Sequence, residues 1–220
     1  MYPEKEQDHK VLMSSLKNTL VVKIDPVKPD GELIKYAAGV LRDGGLVAFP
    51  TETVYGLGAN LLNKRAIARL YKVKGRPGRK PLTVHIADVS QIRALGCVFD
   101  ARARKLAKKF WPGPLTMVLS RKTGGSVGFR MPANRVALSL IKASGVPVAA
   151  PSANLSGKKP PTDGGAVLAG LNGKIDVLLD SGHTDVGVES TVVDMTSVPF
   201  VILRKGAVKE GNIKRLFANE

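Results

Sequence analysis

The chain has 220 residues, 44% of them hydrophobic, which is enough for one sizeable core and consistent with a single domain. A formal net charge of +16 points to contact with phosphates, on a nucleotide or a nucleic acid. No apolar run approaches the ~20 residues that span a bilayer, the opening MYPEKEQDHK is too polar for a secretory signal, and the lone Cys97 excludes an intrachain disulfide framework or a cysteine-rich zinc site; a cytoplasmic protein is expected.

TLVVKI (19–24) reads as a strand, and Asp30 as the cap of a helix that sets Leu33, Ile34, Ala37, Val40 and Leu41 on one face. LVAF (46–49) reads as a short buried strand halted by Pro50. After it, Thr51, Glu52, Thr53 and Tyr55 place oxygens beside Gly56 and Gly58, the composition of a ligand-lined turn or of an ordinary strand connection. Asn63 caps a helix through Tyr71. Residues 64–80 carry Lys64, Arg65, Arg69, Lys72, Lys74, Arg76, Arg79 and Lys80 without one acid. Two prolines and two glycines make KGRPGRKP a loop on which cations can converge. LTVHI (82–86) is a strand with His85 near its end, and Asp100 caps a basic helix ending near Phe110.

Six further strand candidates follow, TMVLS, VGFR, VPVAA, DVLLD, TVVDM and FVILR, with helices around 134–143 and 163–170. So many strands joined by short Gly/Pro turns predict a mixed sheet rather than a regular parallel array. The first ~18 and last ~12 residues are polar enough to pack loosely. Three later stretches repeat the chemistry of the first turn. VPVAAPSANLSG runs from a strand through a proline into Ser152, Asn154 and Ser156, Glu189–Ser190–Thr191 precedes a strand, and Arg204–Lys205 follows one. Each fits capping or turn chemistry by itself. Together they describe a site for a polar small molecule and a polyphosphate. Trp111, in WPGP, reads as packing in a rigid turn, and His183 as a loop residue.

PTETVYGLG, KGRPGRKPLTVHI, WPGPLT, FRMP, APSAN, GVEST and LRKGA stand in the order and approximate spacing of the YrdC-like family of threonylcarbamoyl-AMP synthases, which the chain resembles over residues 19–208. The resemblance implies an α/β fold with a twisted mixed sheet and flanking helices around a large basic cavity. Residues 19–208 would be a single catalytic domain, with 1–18 and 209–220 as terminal extensions, the short form without a second domain. It further implies that L-threonine, bicarbonate and ATP give threonylcarbamoyl-AMP and pyrophosphate, for modification of adenosine 37 in ANN-decoding tRNAs by a downstream transferase. By the same resemblance Thr51, His85, Arg130, the Ala150 backbone and Ser190 hold threonine. Arg76, Lys80, Ser126, Ser152, Asn154 and Arg204 hold the nucleotide, and Lys74 and Arg76 are the candidate catalytic cations. Pro160 departs from relatives with a polar residue there. Mg²⁺ is expected with ATP, and no protein metal site is expected.

The competing class is a double-stranded RNA or tRNA-binding module without catalysis, which the charge alone would fit. RNA can also be a partner of the enzyme. Against a pure RNA binder stand Thr51, Ser152, Asn154 and Ser190, small polar residues at strand ends for which it has no use. The related domain of hydrogenase-maturation carbamoyltransferases belongs to larger proteins with cysteine-rich zinc elements, which one cysteine cannot supply.

Overall fold

The computed structural model describes residues 18–78 and 80–218; Arg79 and the expected N-terminal extension through residue 17 lie outside the described residues. Their elements run in the order β1 (Leu20–Lys23), α1 (Gly31–Arg42), β2 (Val47–Phe49), β3 (Gly56–Asn60), α2 (Lys64–Lys74), β4 (Thr83–His85), α3 (Ser90–Ala94) and α4 (Ala101–Phe110). There follow β5 (Leu115–Ser120), β6 (Ser126–Arg130), α5 (Arg135–Ser144), β7 (Val148–Ala149), α6 (Gly164–Leu171), β8 (Val177–Asp180), β9 (Thr191–Asp194), β10 (Val201–Arg204) and α7 (Glu210–Arg215). The expected caps are in place. Asp30 accepts from the Glu32 and Leu33 amides, Asn63 from Arg65 and Ala66, and Asp100 from Ala103. Each satisfies amides that the first helical turn leaves without an intrahelical partner.

The strands form one mixed sheet in the order β1-β8-β2-β3-β7-β4-β6-β5-β9-β10. Four of its pairings are parallel, β1/β8, β2/β8, β4/β6 and β5/β9, and the other five are antiparallel. This is the mixed α/β architecture expected from the sequence. GLGAN, read as part of a turn, is instead the strand β3, where packing leaves little room for a side chain at Gly58. A Cβ there would stand 3.0 Å from Phe49, 3.2 Å from Val148 and 3.3 Å from Leu41.

The two halves of the sheet are covered differently. On the β8-β2-β3 half, Val47 and Phe49 pack with α1 and α5 in one core, while Ala48 and Leu57 pack with α2 and α6 in another. Alternation along β2 therefore buries both faces. On the β4-β6-β5 half, Val84, Phe129, Leu115, Met117 and Leu119 pack under α3, α4 and α7. The opposite face there holds polar residues. In register, Thr83 and His85 stand beside Gly128 and Arg130, and Met117 pairs with Phe129, which puts Thr116 level with Arg130.

The segment after residue 208, expected to pack loosely, forms α7. Ile213 is fully buried, and Leu216 and Phe217 pack against the same core. Apolar positions spaced along a short polar helix carry this packing, and the overall polarity of the segment hides them. Trp111 packs as expected, stacked on Phe99 with ring centroids 6.5 Å apart and donating from Nε1 to the Leu115 carbonyl at 2.7 Å.

Candidate functional site

The polar face of β4, β5 and β6 is the floor of a cleft that is open to solvent. Thr51 and Tyr55 wall it from the β2–β3 connection, Ala150 and Ser152 from the end of β7, and Arg76 from the loop after α2. Glu189 and Ser190 precede β9 and Arg204 ends β10 on the remaining side. The first two walls are neighbours because β3 and the segment after β7 run antiparallel. The Leu57 amide donates to the Pro151 carbonyl at 2.7 Å, and the Ala153 amide to the Tyr55 carbonyl at 2.8 Å.

At the inner end, His85 and Arg130 are each 4% exposed. Burial, with help from the Arg130 charge, pushes the His85 imidazole down to about 3, so it is neutral at ordinary pH. Burial lowers the Arg130 pKa as well, and the Glu52 carboxylate opposes that effect. Arg130 Nη2 lies 2.8 Å from Glu52 Oε2, close enough for an ion pair, though neither atom has an aligned hydrogen bond. Arg130 Nε also reaches toward the Gly113 carbonyl at 3.4 Å.

At the mouth, Arg204 donates to Glu189 Oε1 at 2.6 Å, to the Ser190 carbonyl at 3.1 Å and to Ser190 Oγ at 3.1 Å. Ser190 Oγ meets Thr116 Oγ1 at 2.8 Å, so the floor and the mouth share one hydrogen-bonded chain. The turn after β10 lies directly on the segment before β9 and fits only glycine at 206: a Cβ there would stand 2.3 Å from the Glu189 carbonyl oxygen and 2.6 Å from the Ser190 carbonyl carbon. Arg76 Nη2 donates to the Pro81 carbonyl at 2.8 Å, which folds the basic loop back on itself.

The structure thus brings together eight of the sequence candidates: Thr51, Arg76, His85, Arg130, Ala150, Ser152, Ser190 and Arg204. The hydroxyl of Thr51 also serves its own turn, donating to the Val54 carbonyl at 2.6 Å while accepting from the Thr53 and Val54 amides at 3.2 Å each. The Ala150 amide donates to the Thr83 carbonyl at 2.9 Å. The other four candidates do not line the cleft. Lys74 is 2% exposed and gives its ammonium to the carbonyls of Ser152 and, at 2.5 Å, Asn154; it fixes the PSAN turn from behind. Burial, reinforced by the Arg76 charge, lowers its pKa to about 8. Asn154 spends its amide on the carbonyls of Leu155 and Lys158. Lys80 is exposed, and Ser126 begins β6, roughly 13 Å along the strand from Arg130.

Sequence reasoning gave no site role to Glu52, Thr83, Thr116 or Glu189. Glu52 and Glu189 stand inside quoted motifs, but only tertiary contact pairs them with Arg130 and Arg204. Those pairs mean that the cleft is not uniformly basic. Among the described residues no cluster of three or more His, Cys, Asp or Glu side chains is arranged to hold a metal, and no helix is long and apolar enough to cross a membrane.

A mixed sheet with one half-face uncovered, lined by buried and exposed arginines and small hydroxyl residues, defines an α/β protein built to hold a polar anionic ligand. Residues 39–206 match the Sua5_yciO_yrdC ("Telomere recombination") family model, and the chain belongs to that family. It is 49% identical over 192 residues to the threonylcarbamoyl-AMP synthase of Pyrococcus abyssi, covering 83% of this chain and 56% of that one. It is 46% identical over 200 residues to the Bacillus subtilis threonylcarbamoyl-AMP synthase, covering 86% and 58%. The crystal structure of P. abyssi Sua5 complexed with L-threonine superposes with a TM-score of 0.86 at 44% identity, covering 90% of this chain and 61% of that one. The chain therefore spans little more than half the length of these relatives.

Proposed function

We propose that the chain is an L-threonylcarbamoyladenylate synthase, converting L-threonine, bicarbonate and ATP to L-threonylcarbamoyl-AMP, pyrophosphate and water. The observation that carries this reading is the cleft's division into a buried inner end with Arg130 and His85 and a mouth with Arg76 and Arg204, on the fold of a relative whose structure holds L-threonine. The guanidinium of Arg130 suits an amino-acid carboxylate. With the carboxylate held there, the threonine amine takes up carbon dioxide derived from bicarbonate. An oxygen of the resulting carbamate attacks the α-phosphorus of ATP, and pyrophosphate leaves.

No protein nucleophile is needed. The protein aligns two anions, and Arg76 and Arg204 offset charge that develops on the phosphates. Mg²⁺ enters with ATP, a mode in which one or two carboxylates and the phosphates suffice; Glu189, in the cleft wall, is the carboxylate in position to take part. The product would pass to a tRNA threonylcarbamoyl transferase acting on adenosine 37, and a cytoplasmic setting, where ATP and tRNA meet, belongs to the same reading. An RNA-binding module without catalysis is not favoured, because backbone recognition gives no reason to bury Arg130 and His85 beneath a polar sheet face.

The test is incubation of the pure protein with MgATP, labelled bicarbonate and single amino acids, with identification of any adenylate. Threonine should support bicarbonate-dependent pyrophosphate release. Serine should be slower, since a methyl group in an apolar niche is worth only ~1–3 kcal/mol. Arg76→Ala and Arg204→Ala should each lose about 2 kcal/mol or more of transition-state stabilisation while remaining folded. Lys109→Ala, on the exposed face of α4, should not. Equal turnover of leucine, or full activity in both arginine variants, contradicts the reading.

A further inference from the structure

The floor of the cleft contains a hydroxyl to which the reaction chemistry assigns no task. Thr116, on β5, is buried, level with Arg130 on β6 and paired in register with Val192 on β9. Its methyl group lies over Gly128, where a Cβ would be 3.6 Å from Thr116 Cγ2. Its hydroxyl meets Ser190 Oγ at 2.8 Å. The two branches of one side chain thus have separate jobs, one packed on β6 and the other bonded to the segment before β9, which leaves a single rotamer. Thr116 and Ser190 both belong to the cleft lining.

A count of protons shows what the pair offers a ligand. Each hydroxyl has one proton and two lone pairs. Arg204 Nη2 donates to Ser190 Oγ at 3.1 Å, which fills one Ser190 lone pair. Two hydroxyls bring two protons, and only one of these can lie between the two oxygens. Among the described residues neither oxygen has a further partner, so one hydroxyl proton is left for the cleft. When Thr116 supplies the proton in between, both Ser190 lone pairs are filled, and the Ser190 proton has only a ligand to go to. Hydrogen bonds in a chain that starts at a cation also polarise one another, which strengthens the last donor.

We propose that Thr116 is a positioning residue: it donates to Ser190 and, together with Arg204, makes the Ser190 hydroxyl an obligate donor to a carboxylate oxygen of the amino-acid substrate. The proposal rests on the reading of the cleft as the threonine site. A carboxylate suits the place, because Thr116 is level with Arg130, Ser190 touches Arg204, and the hydroxyl between them presents a proton rather than a lone pair. Arg204 has contacts with the Glu189 carboxylate and the Ser190 carbonyl that do not involve Thr116, so its place at the mouth does not depend on this hydroxyl.

The experiment is calorimetric titration with L-threonine, and with MgATP as the control ligand, of the wild type, Thr116→Val, Thr116→Ser, Ser190→Ala and the double variant Thr116→Val/Ser190→Ala. Valine keeps the shape and the methyl group and removes the hydroxyl, and serine does the reverse. Thr116→Val should weaken threonine binding by about ten-fold, the worth of a charge-assisted hydrogen bond, and MgATP binding hardly at all. Thr116→Ser should recover most of that loss. In the Ser190→Ala background the valine change should cost little more, because a residue that acts through Ser190 has nothing left to position. Unchanged threonine affinity in Thr116→Val, a serine variant as weak as the valine one, or the full cost of valine in the Ser190→Ala background each overturns the proposal. So does equal weakening of MgATP, which would mean that the whole floor has shifted. If the valine variant does not fold, Thr116→Ala takes its place in the same cycle. A wild type that does not bind threonine overturns the threonine site and the proposal with it, whereas the other adverse outcomes overturn the proposal alone.

Discussion

His85 shows how burial decides the chemistry of a single side chain. Its imidazole sits edge-on to Phe49, with centroids 6.1 Å apart, and is 4% exposed. In the unfolded chain it takes a proton near pH 6.5, whereas in the folded protein it does so only near pH 3. Between those values the unfolded state holds the extra proton, so His85 is neutral to stability above pH 6.5 and costs stability progressively as pH falls towards 3. The slope is at most about 1.4 kcal/mol per pH unit. Urea midpoints of the wild type and His85→Asn, compared across that window, should converge or cross as the pH falls, because the variant lacks this term. Parallel curves would show that His85 protonates as readily in the fold as in the coil. Lys74 makes the complementary point. Its charge invites a catalytic role on paper, but an ammonium committed to the carbonyls of Ser152 and Asn154 holds a loop in place.

At the scale of elements, the site depends on how strand ends are joined. Thr191 at the start of β9 accepts the amides of Gly206 and Val208 through Oγ1, at 3.1 and 3.0 Å, and the Ala207 amide donates to the Glu189 carbonyl at 3.0 Å. The turn after β10 is thereby laid directly on the segment before β9, which is why Arg204 reaches Ser190 and Glu189. Gly206→Ala puts a methyl group into that backbone and should cost about 1–3 kcal/mol, as overpacking does. Adenylate formation should fall by more than the lost stability explains, since Arg204 is displaced with the turn. Denaturant midpoints and rates measured on the same preparations check both. A variant with a normal midpoint and normal rate would show that the turn has room the geometry denies. The basic helix α4 behaves differently: Lys105 and Arg102 lie over the Phe217 ring, at 5.3 Å each, so part of its charge belongs to packing at the C-terminal end of the chain.

For the molecule as a whole, α7 completes the core beneath the cleft-bearing half of the sheet, in a segment expected to be an extension. Ile213→Ala should destabilise the protein by about 2–5 kcal/mol, the usual cost of a large-to-small change in a packed core. Loss of much less than 1 kcal/mol in equilibrium unfolding would return α7 to the status of an appendage. Much of the rest was legible beforehand. Local rules determined the helices capped at Asp30, Asn63 and Asp100, because a cap is a contact between residues two or three apart. Alternation and turn residues determined most strands, and the motifs located eight cleft residues. The sequence could not decide between turn and strand for GLGAN, since glycine has no side chain whose pattern reveals a face, and Gly58 is explained only by Phe49, Val148 and Leu41 packing over it. Nor could it pair Glu52 with Arg130, or exclude Lys74, Lys80, Ser126 and Asn154 from the cleft lining. Those outcomes rest on strand order and register, which join residues far apart in the chain, and no local rule carries that information. Charge and hydroxyl content are thus written in the sequence; which charges meet, and which are neutralised, is decided where β4, β6 and β5 lie side by side with one face left open.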